Sequence, residues 1–176
     1  SPVAALRNTA QVNVQQPSGI RISKQTLVPQ TEFNPTGATS PSTVSWRITN
    51  VNMISGSAGV TDDQLIDVLP ADGLNGSAFH GTMPLTSVTA PTGAVVEYTK
   101  AAPASISTNV KDPSNAAGGA TTWCATLSGA GCPTSLDQVT GLRITRPGPY
   151  NEGDAWSVDV TFTPVADLPT DLYVNV

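Results

Sequence analysis

Charge is what this sequence has least of. Only 12% of its 176 residues are Asp, Glu, Lys or Arg, against about a quarter in ordinary soluble chains. The eight basic residues are scattered and the net charge is −5. No basic stripe can follow a phosphate backbone, which excludes nucleic acid as an expected partner. Histidine is nearly absent: His80, in Ala78-Phe79-His80-Gly81, is the single one. It has no nucleophile motif beside it and reads as a surface or loop residue, so a histidine-dependent triad has no support. No glycine-rich phosphate loop is present. No apolar run reaches the length of a membrane-spanning helix, which argues against direct membrane insertion. No secretory leader opens the sequence, so it reads as a mature chain or as part of a larger one.

Helical periodicity is missing as well. Gln64 to Leu69 has room for one helical turn before Pro70, and no segment carries an amphipathic helix of three turns. Cysteine is limited to Cys124 and Cys132. Two thiols cannot build a structural zinc site alone, and their spacing is not that of a redox pair. They read as a local disulfide clamping a Gly-rich loop, which implies an oxidising, extracellular setting.

What is present is alternation between turns. Fifteen Gly and fifteen Pro punctuate segments whose apolar residues recur with period two. Leu6, Asn8, Ala10, Val12 and Val14 share one face of the first such segment. Ile20, Ile22 and Lys24 share a face of the second, after the linker Gln-Gln-Pro-Ser-Gly. Further strands are expected through Val44, Trp46 and Ile48, through Leu65, Asp67 and Leu69, and over Val95 to Thr99. Leu142 to Thr145, then Trp156, Val158, Val160 and Phe162, and finally Leu172 to Val176 complete the set. Long loops are expected between Pro29 and Ser42 and between Ala101 and Thr121. Short strands with turn-rich connections make a sandwich. The two ends resemble each other: Leu6-Arg7-Asn8-Thr9 and Tyr173-Val174-Asn175-Val176 each set one asparagine on the apolar face of a strand.

Five segments then occur in a familiar order. They are Ile20-Arg-Ile-Ser-Lys24, Val44-Ser-Trp-Arg-Ile-Thr-Asn50, Val60-Thr-Asp-Asp-Gln-Leu-Ile-Asp67-Val-Leu-Pro70, Gly153-Asp-Ala-Trp-Ser-Val-Asp-Val160 and Leu172-Tyr-Val-Asn175-Val. In that order they resemble the conserved-repeat domain of bacterial and archaeal surface proteins, known as domain of unknown function eleven. They are also similar to the isopeptide-forming domain of Gram-positive fimbrial shafts. The departures are an insertion-like stretch around Asp63-Gln64-Leu65 and the long segment from Ala101 to Cys132. The resemblance implies a sandwich used as a spacer, stalk or fibre subunit, and it implies no particular ligand.

Three residues then carry a chemical expectation. Lys24 continues the face of Ile20 and Ile22, Asp67 lies between Leu65 and Leu69, and Asn175 shares a face with Tyr173. Burial disfavours charge on amines and carboxyl groups alike. A neutral Lys24 amine can attack the Asn175 carboxamide while a protonated Asp67 polarises its carbonyl; ammonia leaves, and an amide joins the first and last strands. The ordinary reading stands beside it: Lys24 reaches the rim and forms an ion pair with Asp67, and Asn175 hydrogen-bonds at a strand end. Asn8 is the alternative to Asn175, serving the lysine of a preceding repeat or of an adjacent subunit.

Other groups are read more plainly. Asp62, Asp63, Asp67 and Asp72 form an acidic cluster, expected as solvated carboxylates, with calcium as the alternative. Glu152 and Asp154 flank Gly153 in an expected turn. Trp46 and Trp156 belong to the core, whereas Trp123 beside the disulfide is the aromatic expected at any ligand contact. The expectation is therefore an all-β, Ig-like β-sandwich over residues 16–176, with a strand-forming N-terminal arm over residues 1–15. It is read as a non-enzymatic, extracellular module without cofactor or resident metal, either a stalk repeat of an adhesin or the subunit of a filament assembled by strand addition. Its expected partners are neighbouring copies or repeats of the same protein and a host or cell-surface ligand. A carbohydrate- or protein-binding module is the alternative.

Overall fold

A computed structural model describes residues 19–27, 43–54, 60–166 and 171–175. The arm over residues 1–15, with Asn8, lies outside the described residues. The alternating segments form β1 (Ile20–Thr26), β2 (Val44–Asn52), β3 (Val60–Val68), β4 (Leu85–Thr89), β5 (Val95–Thr99), β6 (Gly141–Tyr150) and β7 (Ala155–Phe162). They pair antiparallel in two sheets, ordered β1-β2-β7-β4 and β3-β6-β5. Helical structure among the described residues is limited to three single 3-10 turns, at Pro103–Ser105, Pro113–Asn115 and Leu136–Gln138.

Period two in the sequence becomes period two in burial. Along β2, Val44, Trp46, Ile48, Asn50 and Asn52 are buried while the residues between them are half-buried. β7 answers with Trp156, Val158, Val160 and Phe162. From the second sheet, Leu65, Leu142, Ile144 and Tyr150 close the same core. Trp46 meets Phe162 edge to face, with centroids 5.4 Å apart. Each large apolar side chain taken fully out of water contributes about 1.5–3 kcal/mol, so this shared core holds the two sheets together. The outward face of the β2–β7 pair is polar and internally satisfied. Ser45 bonds Thr161, Thr49 bonds Ser157, and Arg47 donates two bonds to Asp159.

The disulfide forms between Cys124 and Cys132, with Cα atoms 5.8 Å apart. It is tied to the second sheet by a bridge between Cys124 and Tyr98 of β5.

Two local expectations are corrected, and one strand is added to them. Gln64 to Leu69 holds no helical turn: β3 runs through it and pairs with β6 over nearly its whole length. Among the described residues, Leu172 to Asn175 form no ladder strand. Leu172 makes a single bridge to Ala78, and the Val174 N–H and C=O are both satisfied by the Ser77 hydroxyl instead of by a neighbouring strand. Strand β4 was not expected at all. A register break between Leu85 and Ser87 spoils the alternation that reveals a strand in sequence, and Leu85 alone of its residues is buried.

Candidate functional site

β1 and β3 are the outer strands of their respective sheets on the same side of the sandwich. Their inward faces therefore meet across an open seam. From β1, the face of Ile20 and Ile22 brings Lys24 to the seam; from β3, the face of Leu65 brings Asp67. Asn175 arrives from the C-terminal segment, which Ser77 and Ala78 hold in place. Tyr173 packs there against the core and lies 4.9 Å from the Phe79 ring.

Lys24, Asp67 and Asn175 touch one another. Lys24 Nζ donates to Asp67 Oδ1 at 2.6 Å and to Asn175 Oδ1 at 2.7 Å. The Asn175 amide nitrogen faces the other carboxyl oxygen, Asp67 Oδ2, at 3.5 Å. The Asp67 side chain is 1% exposed and that of Lys24 15%. Burial pushes the Asp67 carboxyl above its ordinary range, against the opposing pull of Lys24 and of the Asn175 hydrogen bond. Loss of hydration outweighs the attraction of the nearby amine, and the neutral acid gains.

The geometry changes the part expected of Asp67. It does not face the Asn175 carbonyl oxygen, which accepts from Lys24. Instead its two oxygens sit against the two nitrogens of the site, the lysine amine and the carboxamide NH₂. One carboxyl group is thus placed to take a proton from the first nitrogen and return one to the second.

The acidic cluster divides instead of converging. Asp62 and Asp72 are exposed, whereas Asp63 and Asp67 are buried. The expectation of four solvated carboxylates is corrected for those two, because β3 begins at Val60 and its pleat turns Asp63, Leu65 and Asp67 inward together. Among the described residues no three carboxylate, His or Cys side chains are grouped to hold a metal. Asp63 accepts from Asn50 Nδ2 at 2.8 Å and from the Trp156 indole at 2.7 Å. Tyr150 lies in the same pocket and donates to the Asn50 carbonyl at 2.9 Å. Burial, aided by Asp63, pushes its phenol up to about 12. Asn50 was not singled out in the sequence, although it continues the inward face of Trp46 and Ile48.

The remaining candidates are occupied locally. Trp123 carries the Arg143 guanidinium 5.1 Å from its ring centre, and its indole donates to Asn115. Arg143 is in turn held by both oxygens of Glu97. His80 is exposed and bonds Asp171 at 2.7 Å. Asp154 accepts from the Asn151 N–H in the turn between β6 and β7. No family model matches the chain, and neither a curated protein nor a solved structure matches it.

Proposed function

We propose that this chain is a mechanical module of an extracellular surface protein, a stalk repeat or filament subunit, whose first strand and C-terminal segment are joined by an isopeptide bond between Lys24 and Asn175. The observation that carries this reading is the three-way contact of Lys24, Asp67 and Asn175. The contact joins residues 151 positions apart, and the resemblance of the five ordered segments accords with it.

The step balances without a co-reactant. The Lys24 amine adds to the carboxamide carbon of Asn175, one bond away from the oxygen it already contacts. Asp67 accepts the proton released from Nζ and delivers one to the departing nitrogen. A Nζ–C bond replaces the C–N bond of the side-chain amide, and ammonia leaves. The partial burial of the site withholds water that would otherwise compete. The resulting crosslink ties the two ends of the sandwich, so that a pulling force meets a covalent bond before it reaches the sheets. The Cys124–Cys132 disulfide accords with an oxidising compartment.

The mass of the denatured chain tests this. The expected value is below the sequence mass by one ammonia, and Lys24→Ala restores the full mass. An unmodified wild-type mass removes the crosslink from the reading. The binding-module alternative rests on Trp123, whose ring is already engaged by Arg143, and no second observation favours it.

A further inference from the structure

Part of the long connection between β5 and β6 follows the seam that holds the triad. Ile106 and Thr108 share a depression with Val68. Thr108, Asn109 and Val110 line a cavity of about 540 Å³ together with Lys24, Leu65 and Asp67. Val110 and Lys111 line the next depression with Asp63. Residues 106–111 therefore pass β3 in the opposite direction to it, from the level of Val68 to that of Asp63. β1 and β3 supply two walls of the cavity beside the reactive pair, and this segment supplies a third.

Two anchors hold that wall. At its start Ile106 is buried, and its Cδ1 lies 2.9 Å from where a β-carbon on Gly141 would be. Gly141 of β6 is thus a notch that only glycine leaves open. At the far end stands Asn115, 2% exposed. Its amide nitrogen donates to the Ser107 carbonyl at 2.9 Å and to the Asn109 carbonyl at 3.0 Å. Its side-chain oxygen accepts from the Trp123 indole at 3.2 Å, and its backbone carbonyl accepts from Arg143 at 2.8 Å. Arg143 stands on β6 directly opposite Glu97 of β5, which grips it with both oxygens. One buried side chain thereby ties the path of the segment to the second sheet. The indole N–H fixes which way the carboxamide points, because only its oxygen can accept from Trp123. Both amide hydrogens are then turned to the segment.

We infer that residues 106–111 form a shutter on the Lys24–Asp67 seam, and that Asn115 is the positioning residue that keeps it shut. The inference rests on the crosslink proposed above and gives the segment its part in it. The shutter limits the entry of water, which competes with the lysine amine for the Asn175 carboxamide carbon. Water adding there breaks the same C–N bond and releases the same ammonia, but leaves a free carboxylate at position 175 and joins nothing. Trp123 then acts through Asn115, as the group that orients its amide.

Acylation of Lys24 tests the shutter apart from the crosslink. In Asn175→Ala the amine stays free whether or not the native chain forms the bond. Its acetylation by an N-hydroxysuccinimide ester is read by peptide mass, with exposed Lys100 as the internal standard. Adding Asn115→Asp keeps the side-chain shape and the acceptor for Trp123 but removes both donors. The rate at Lys24 relative to Lys100 is expected to rise about ten-fold, the order by which two lost hydrogen bonds shift a local opening. Ile106→Val removes the Cδ1 that fills the Gly141 notch, and is expected to raise the same ratio about three-fold. It is mild enough to fold where Asn115→Asp does not. Val88→Ala trims packing on β4, at the opposite edge of the first sheet from β1, and is expected to leave the ratio unchanged. An unchanged ratio in Ile106→Val or in folded Asn115→Asp overturns the proposal, and so does an equal rise in Val88→Ala. With Asn175 restored, Asn115→Asp is expected to lower the crosslinked fraction and to yield free aspartate at position 175. A wild-type chain that keeps its ammonia removes the crosslink, while the acylation ratio still decides the shutter.

Discussion

Asp63 and Asp67 stand on the same strand, turned to the same interior, 4% and 2% exposed. Their surroundings differ in kind. Asp63 is held by two neutral donors, the Asn50 amide and the Trp156 indole, each a fixed part of the first sheet. Asp67 is held by an amine and faces a carboxamide, both brought from opposite ends of the described chain. A buried carboxyl among neutral donors has no route to new bonds and serves to fix the register of the two sheets. A buried carboxyl between an amine and a carboxamide has such a route, if the bond proposed above forms. The lesson is that burial alone does not mark a reactive carboxyl; the identity of its partners does.

The largest expected effect breaks the Asp67 side of the comparison. On the proposed reading, Lys24→Met or Asp67→Asn is expected to remove the ammonia loss and with it the crosslink between positions 24 and 175. By the chain-entropy relation for a covalent loop of 151 positions, the lost stabilisation is about 5 kcal/mol. Urea unfolding of each variant beside the wild type measures it. A variant that keeps both the lowered mass and the wild-type midpoint contradicts the assignment.

Asp63→Ala breaks the other side and comes next. It strands the Asn50 amide and the Trp156 indole, whose desolvation without a partner costs roughly 2–4 kcal/mol in total. Asn50 Oδ1 already has no hydrogen-bond partner, so the side chain has little scope to compensate by rotating. The ammonia loss is expected to persist in this variant, read by mass on the folded fraction. If Asp63→Ala abolishes it while the fold survives, the two carboxyls are not the separate entities described above.

Much of this was legible in the residues and some of it was not. The inward faces of β2 and β7 follow from alternation, because one face of each is buried and period two then fixes every side chain; β1 keeps the same period, although none of its residues is fully buried. Lys24 and Asp67 could be named from the same alternation, whereas Asn175 was named from an expected last strand that the described residues do not form. The Asp63 cluster was missed since Asp62-Asp63 looks like a solvated pair unless β3 is known to start at Val60. Only tertiary pairing with β6 decides that start. The role of Asp67 toward two nitrogens depends on side-chain rotation, which no pattern encodes. β4 stayed hidden because its bulge interrupts the period.

The last and smallest effects concern pH, and a third carboxyl sharpens the comparison. Asp159 is also paired with a cation, yet on the outer face of the β2–β7 pair, where the Arg47 hydrogen bond holds it below its ordinary value of 3.8. Asp67 is shifted the other way by burial. The two signs give opposite slopes. Asp159 contributes stability that is present above its ordinary value and is lost as pH falls through its lowered one. Asp67 contributes stability that is present below its ordinary value of 3.8 and is lost as pH rises through its raised one. To expose the second term, the crosslink must be absent, so Asn175→Ala is the reference. Against that background Asp67→Asn is expected to flatten the decline of the urea midpoint as pH rises above the ordinary value of 3.8. Asp159→Asn is expected to act only at the acid end, weakly, and less in high salt because the pair is exposed. Equal slopes for the two variants would mean that the amine, and not burial, governs Asp67.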